Sequence, residues 1–246
     1  MLSIESGKVL GHAQHKIEFA DAHEHGRWHP ASTMKPLLAW HALEAAGWSG
    51  SRLVNCRGEK PDKKGNYCFS KHGDLDLATA IATSCNAYFF PMAESLGTAG
   101  IKEVFHRAGL DSSTMTAQGD LMATALGHGE VSVSPLELAL AYLKLARALG
   151  GNPALAPIRA GLDRGVNHPE GTANQAVSLE APIMGKTGTG QATDPADGTY
   201  HGWFVGLSPV QVPQVVVAVF THSTESAGNG AAPIAGEVAR AWATAR

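Results

Sequence analysis

Strand-like segments lie at the two ends of this chain and helical ones lie between them, and that order limits the fold more than any other feature. At the start, Leu2-Ser3-Ile4, a turn at Glu5-Ser6-Gly7 and Lys8-Val9-Leu10-Gly11-His12-Ala13 read as a hairpin. Beyond residue 180, Ile183–Thr187, Gly202–Leu207 and Gln214–Phe220 are rich in β-formers. Between them, helix signals run from Ala31 to a stop at Gly47, with Pro36 acceptable because it falls in the first turn. Further helices are expected at 75–82, 87–96, 101–108 and 135–149, and a last one from Pro233 to Ala245. Residues 51–73 read as loop. This is an α+β pattern in which the two termini meet in one mostly antiparallel sheet. The expected division is a sheet-containing part at about 1–50 and 175–246, with a mainly helical part at about 51–174 of one domain.

Composition narrows the function classes. Of 246 residues, 44% are hydrophobic and 17% charged, which supplies a core and carries no mark of disorder. Nineteen Lys and Arg against 22 Asp and Glu leave a formal charge of −3, so nucleic acid is not an expected partner. No run approaches the roughly 20 apolar residues of a membrane span. Met1-Leu2-Ser3-Ile4-Glu5-Ser6 lacks the basic and apolar regions of a secretory signal. Three cysteines, Cys56, Cys68 and Cys85, are too few for a disulfide scaffold. A Cys56–Cys68 bridge across the polar 57–67 segment and two reduced thiols are both compatible with the sequence.

Three strings carry candidate chemistry: Ser32-x-x-Lys35, Ser84-x-Asn86 and Lys186-Thr187-Gly188. Each is common by chance, and their order and placement give them weight. Ser32 starts a helix, Ser84-Cys85-Asn86 interrupts two helices, and Lys186-Thr187-Gly188 lies at the end of a strand. A serine hydroxyl is a poor nucleophile without a base. Lys35, one helical turn on, serves if burial or a nearby cation such as Lys186 lowers its pKa. The N–H groups of Ser32 and Thr189 would form an oxyanion hole, with Gly188 letting the strand backbone close on the substrate. Lys186, Thr187 and Thr189 would bind a substrate carboxylate, Asn86 would orient an amide, and Ser84 would relay a proton to a leaving amine.

In these motifs the chain resembles the penicillin-binding proteins, serine D,D-transpeptidases and carboxypeptidases related to the serine β-lactamases. Their class B members are also similar around His72-Gly73-Asp74-Leu75-Asp76-Leu77 and Ala82–Phe90. The same holds for Gly127-His128-Gly129-Glu130-Val131-Ser132-Val133-Ser134-Pro135, where the family usually has Gln at the His128 position, for Gly185–Gly190, and for Trp203-Phe204-Val205-Gly206. The resemblance implies a β-lactamase/transpeptidase-like fold: a five-stranded antiparallel sheet from both chain ends, flanked by helices, with an all-helical subdomain. It implies an acyl-enzyme on Ser32 with D-Ala-D-Ala stem peptides of peptidoglycan, acylation by β-lactams, and an extracytoplasmic site of action with a cell-wall synthase as a conceivable partner. Because no export signal is visible, the chain reads as a compact form or a domain whose targeting segment is missing. The interval from Ser32 to Lys186 is shorter than in typical class B members.

Two other functions compete. A β-lactamase would hydrolyse the acyl-enzyme. Glu170 and Asn174 have the Glu-x-x-x-Asn spacing of class A, but they stand too close to Lys186, and class D enzymes have an aliphatic residue where this chain has Asn86. A sensor or non-catalytic peptidoglycan-binding module is the other rival, and intact Ser32, Lys35 and Lys186 weigh against a dead enzyme. No cofactor is expected. His23, Glu24, His25 and His29 read as solvated loop groups. Cys56, Cys68, His72 and Cys85 match no recognised finger spacing. Some class B relatives are thought to hold zinc beside the active site, however, and as a ligand Cys85 would tie the Ser84–Asn86 loop to the Cys68 region. Tyr88-Phe89-Phe90 and the stripe of 135–149 are expected in the core.

Overall fold

A computed structural model describes residues 1–15, 21–58, 68–116, 119–191 and 198–245. The strands are β1 (Leu2–Ser3), β2 (Val54–Cys56), β3 (Gly73–Leu75), β4 (Met184–Gln191), β5 (Tyr200–Ser208) and β6 (Val215–Ser223). The helices are α1 (Ala22–His25), α2 (Lys35–Ala45), α3 (Leu77–Ala82), α4 (Asn86–Ala108), α5 (Leu121–Ala125), α6 (Pro135–Gly151), α7 (Ala156–Asn167) and α8 (Ala231–Thr244).

The main sheet has the order β1-β6-β5-β4, all pairs antiparallel, so the first residues do join the last strands. Leu2 pairs with Val216 and Ser3 with Val215. The expected fifth strand is reduced to one bridge, Leu2 to Val9. The Gly7 turn closes as anticipated, with the Ser3 N–H on the Lys8 carbonyl at 2.9 Å. Val9 and Leu10 nevertheless stay about half exposed, at 48% and 49%, so no burial extends the ladder.

Period-two alternation in β5 sorts its side chains to two cores. Trp203, Val205 and Leu207 face the large cluster built with α2, α4 and α6, while Phe204 faces the smaller one under α8. Tyr88 and Phe89 are fully buried, and so are Leu138, Tyr142 and Leu145 of α6, as the apolar patterns required. Helix α6 begins with a capping box between Ser134 and Glu137. Helix α4 is two helices broken at Gly97 (φ 60°), which is where the separate 87–96 and 101–108 segments were expected to divide.

Beyond the short helices α1 and α5, which were not expected, two larger regions differ from expectation. The loop-like 51–73 region contains the β2–β3 hairpin; most of its polar connection, 59–67, falls outside the described residues. Helix α7, where no element was expected, contains Pro157, Gly161 and Gly165. Pro157 lies in its first turn. A Cβ at Gly161 would meet Ile81 Cβ at 2.7 Å, and one at Gly165 would meet the Gly185 carbonyl oxygen at 2.8 Å. These glycines are the points where α7 touches α3 and β4, and that contact fixes one wall of the cleft.

Candidate active site

Ser32 lies in a 3-10 turn, Ala31–Met34, that feeds directly into α2. Ala31 has φ 49°, an unfavourable value for a residue with a Cβ, and its N–H is held by the Gly127 carbonyl at 2.8 Å. Position 127 must be glycine: φ is +82° and a Cβ there would lie 2.2 Å from the Ala31 oxygen. Ser32 is the one residue of the four-residue turn that is not buried.

Lys35 is fully buried, yet its ammonium is satisfied. Nζ donates to the Ser84 carbonyl at 2.6 Å, to Ser84 Oγ at 3.3 Å and to Asn86 Oδ1 at 2.7 Å. Ser84, at φ 57°, is a second strained non-glycine residue, and the turn it makes aims both its groups at Lys35. The first two motifs are thus joined through one amine. Burial lowers the Lys35 pKa to about 8, against an opposing pull from Cys85 and Cys68. The expected role of Lys186 as the depressing cation is therefore corrected. Lys186, buried and near Lys35, has its own pKa driven well down, first by burial and then by Lys35.

Lys186, Thr187, Gly188 and Thr189 lie on β4, at the edge of the sheet. An edge leaves one row of backbone groups without a strand partner, which is what an oxyanion donor at Thr189 requires. Gly188 has a different job from the one expected. Its Cβ would stand 2.6 Å from the Pro30 oxygen and 3.0 Å from Thr33 Cγ2, so glycine lets the strand close on the serine turn itself. Trp203 Nε1, opposite Gly188 on β5, donates to the His29 carbonyl at 2.9 Å and ties the sheet to the same turn. Lys186 Nζ donates to the Thr187 carbonyl at 2.9 Å. Thr189 is exposed, and its Oγ1 accepts the Ala227 N–H at 3.2 Å. Thr187 Oγ1 lies 2.6 Å from Thr172 Oγ1, a partner for which no local sequence signal exists.

Behind the Ser84–Asn86 turn, all three cysteines are buried and free, which decides against a Cys56–Cys68 bridge in this structure. They converge with His72, and the four candidate ligand atoms lie within 4.8 Å of one another. Cys68 and Cys85 sulfurs are 3.9 Å apart, and His72 Nδ1 is 3.4 Å from Cys56 Sγ and 3.6 Å from Cys68 Sγ. A tetrahedral zinc would set sulfur–sulfur edges of about 3.8 Å and sulfur–nitrogen edges of about 3.6 Å. The donor set and spacings fit that ion. The hydrogen bond between Cys68 and Cys85 pushes the Cys68 thiol down and the Cys85 thiol up. The histidines at 23, 25 and 29 form no such group among the described residues.

A cavity of about 290 Å³ is lined by Thr79, Ala82, Thr83, Arg164, His168 and Glu170, next to the Ser84 turn. Glu170 is exposed, and Asn174 spends its amide on the Val166 and His168 carbonyls at 2.9 and 2.6 Å, so the Glu-x-x-x-Asn spacing reflects loop closure. No helix among the described residues is long and apolar enough to cross a membrane.

An edge strand closing on a serine turn, with a helical region supplying the Ser84–Asn86 wall, places the chain in the fold class shared by serine β-lactamases and D,D-peptidases. The chain belongs to the penicillin-binding protein transpeptidase domain family, whose model matches residues 1–242. Penicillin-binding protein 3 of Bacillus subtilis (strain 168) is 24% identical over 246 residues, covering 81% of this chain and 37% of that protein. Peptidoglycan D,D-transpeptidase PbpA of Mycolicibacterium smegmatis is 26% identical over 259 residues, covering 83% of this chain and 53% of that one. The chain thus spans roughly half or less of these relatives' length. Among solved structures, Pseudomonas aeruginosa PBP2 in complex with WCK 5153 superposes with a TM-score of 0.78 at 22% identity, covering 91% of this chain and 60% of the other. A peptidoglycan glycosyltransferase from Burkholderia ambifaria gives 0.83 at 21% identity, covering 99% and 87%. These likenesses establish the fold.

Proposed function

We propose that this domain is a serine D,D-transpeptidase/carboxypeptidase that takes D-Ala-D-Ala-ended peptidoglycan stem peptides through an acyl-enzyme on Ser32, and that β-lactams acylate the same serine. The observation that carries this reading is the buried Lys35 amine, with its pKa near 8, bonded to Ser84 and Asn86. Lys35 takes the Ser32 proton as Oγ attacks the scissile carbonyl. Ser84 Oγ, 3.3 Å from Lys35 Nζ, passes a proton to the departing amine. The backbone N–H groups of Ser32 and Thr189 receive the oxyanion. An anionic substrate terminus beside Thr187 and Thr189 favours the charged form of Lys186, so the cation arises where it is needed.

Cys56, Cys68, His72 and Cys85 would hold a zinc ion. Four protein ligands close the coordination sphere, so the ion supplies structure and no reactive position. Through Cys85 it would fix the turn that presents Ser84 and Asn86 to Lys35. Peptidoglycan lies outside the cytoplasm, so this reading places the domain there, with a cell-wall synthase as a fitting companion.

The test is covalent labelling by a fluorescent penicillin, which is expected for the intact protein and absent in Ser32→Ala. Full labelling of that variant, or no labelling of the intact protein, overturns the assignment.

A further inference from the structure

Acylation as described uses Ser32, Lys35, Ser84 and Lys186, and leaves two histidines beside the serine turn without a task. His29 precedes Ser32 by three residues, and its Nδ1 lies 2.6 Å from the Val131 carbonyl oxygen. A carbonyl only accepts, so Nδ1 is the ring nitrogen that donates there. His128 follows Gly127, the residue whose carbonyl holds Ala31. The His128 backbone N–H is fixed on the Ala123 carbonyl at 2.8 Å. Its ring reaches solvent and has no hydrogen-bond partner among the described residues.

We propose that His128 is the general base for hydrolysis of the Ser32 acyl-enzyme, giving this chain a carboxypeptidase branch beside transpeptidation. The proposal rests on the acyl-enzyme reading above. Its geometry follows from the backbone: the Gly127 carbonyl holds the Ala31 N–H, so the α5–α6 loop that carries His128 packs against the residue before Ser32, a different wall from the α3–α4 turn that presents Ser84. The two walls give two routes to the ester. An amine acceptor enters where the leaving amine departed, beside Ser84. Water enters beside His128.

In the hydrolytic step the water oxygen bonds to the acyl carbonyl carbon while one water proton moves to the bare ring nitrogen of His128. As the carbon–Oγ bond breaks, that proton passes to Ser32 Oγ, and the acid product then ionises. His128 is biased toward its neutral, basic form first by burial against the cleft wall, and then by His29 and Lys35 whenever these carry charge, all of which lower its pKa. The nearby Glu130 is turned away, onto the Thr116 N–H and hydroxyl at 2.9 Å each.

The test separates deacylation from acylation. The protein is labelled with a fluorescent penicillin, excess label is removed, and loss of the acyl-enzyme is followed from pH 5 to 8. Intact protein is expected to lose label more slowly at acid pH, as His128 protonates. His128→Gln is expected to extend the acyl-enzyme lifetime about tenfold or more and to flatten the acid limb. His29→Gln, which keeps a side-chain N–H for Val131, is expected to retain the limb. An unchanged lifetime in His128→Gln, a flat profile in the intact protein, or loss of the limb in His29→Gln instead would each overturn the proposal. Failure of the intact protein to label at all would refute the acyl-enzyme reading, a separate outcome.

Discussion

Asn86 Oδ1 accepts a hydrogen bond from Lys35 Nζ at 2.7 Å, across 51 residues of sequence and from the first turn of a different helix. The contact satisfies one donor of an amine that burial would otherwise make costly. It also sets how that amine titrates.

Acylation by penicillin is therefore expected to quicken with pH up to about 8, where Lys35 becomes neutral. The sign follows from the role: only the unprotonated amine accepts the Ser32 proton. Asn86→Asp puts a carboxylate against the amine and favours its charged form, so the rising limb is expected to move up by about one pH unit or more. Second-order labelling rates across pH 6–10 check this; a limb that stays put in the variant would show that Lys35 is not the base.

Gly188→Ala is expected to cost about 1–3 kcal/mol of stability and at least a hundredfold in labelling rate. The new Cβ would press on the Pro30 carbonyl at 2.6 Å, and backbone cannot yield as a flexible side chain does. Either the strand or the serine turn must move, and both belong to the site. Thermal unfolding and labelling kinetics measure the two effects; wild-type labelling with a wild-type Tm would contradict the close approach.

The purified protein is expected to carry about one equivalent of zinc, read by elemental analysis. Cys68→Ser and Cys85→Ser should lose it, with Tm falling by about 10 °C, the size expected for a ligand held well above its Kd. Chelation should slow acylation, since Cys85 joins Ser84 to Asn86. Metal-free protein that labels at full rate would remove zinc from the account.

Gly161→Ala offers a test of the fold itself. In an isolated helix the change is stabilising by about 1 kcal/mol. In this domain a Cβ 2.7 Å from Ile81 Cβ should reverse the sign, for a net loss of about 1–2 kcal/mol. Denaturant unfolding decides; a stabilised variant would mean that α7 and α3 are not pressed together there.

Much of the molecule was readable before any coordinates. The end strands showed β-rich composition, and Leu138, Tyr142 and Leu145 of α6 showed a helical period, because burial on one face writes itself into local spacing. Ser32 and Lys35 were legible as a pair because three residues on a helix share a face. Other features left no local trace. Helix α7 was concealed because Gly161 and Gly165 answer to neighbours in other elements, and Thr172 meets Thr187 only through loop closure. The fifth strand was overestimated because a hairpin turn was visible while the lack of anything to bury Val9 was not.

The sequence by itself determined the α+β order, the meeting of the termini and the residue types able to transfer an acyl group, since these depend on periodicity, turn chemistry and short spacings. Tertiary structure decided the rest: that burial, and not Lys186, lowers the Lys35 pKa; that Gly188 yields space to the serine turn; that four scattered thiol and imidazole groups converge behind the Ser84–Asn86 turn; and that Gly127 packs against Ala31, the residue before Ser32. Each of these is a distance or a desolvation between segments far apart in the chain, and such quantities exist only once the chain is packed.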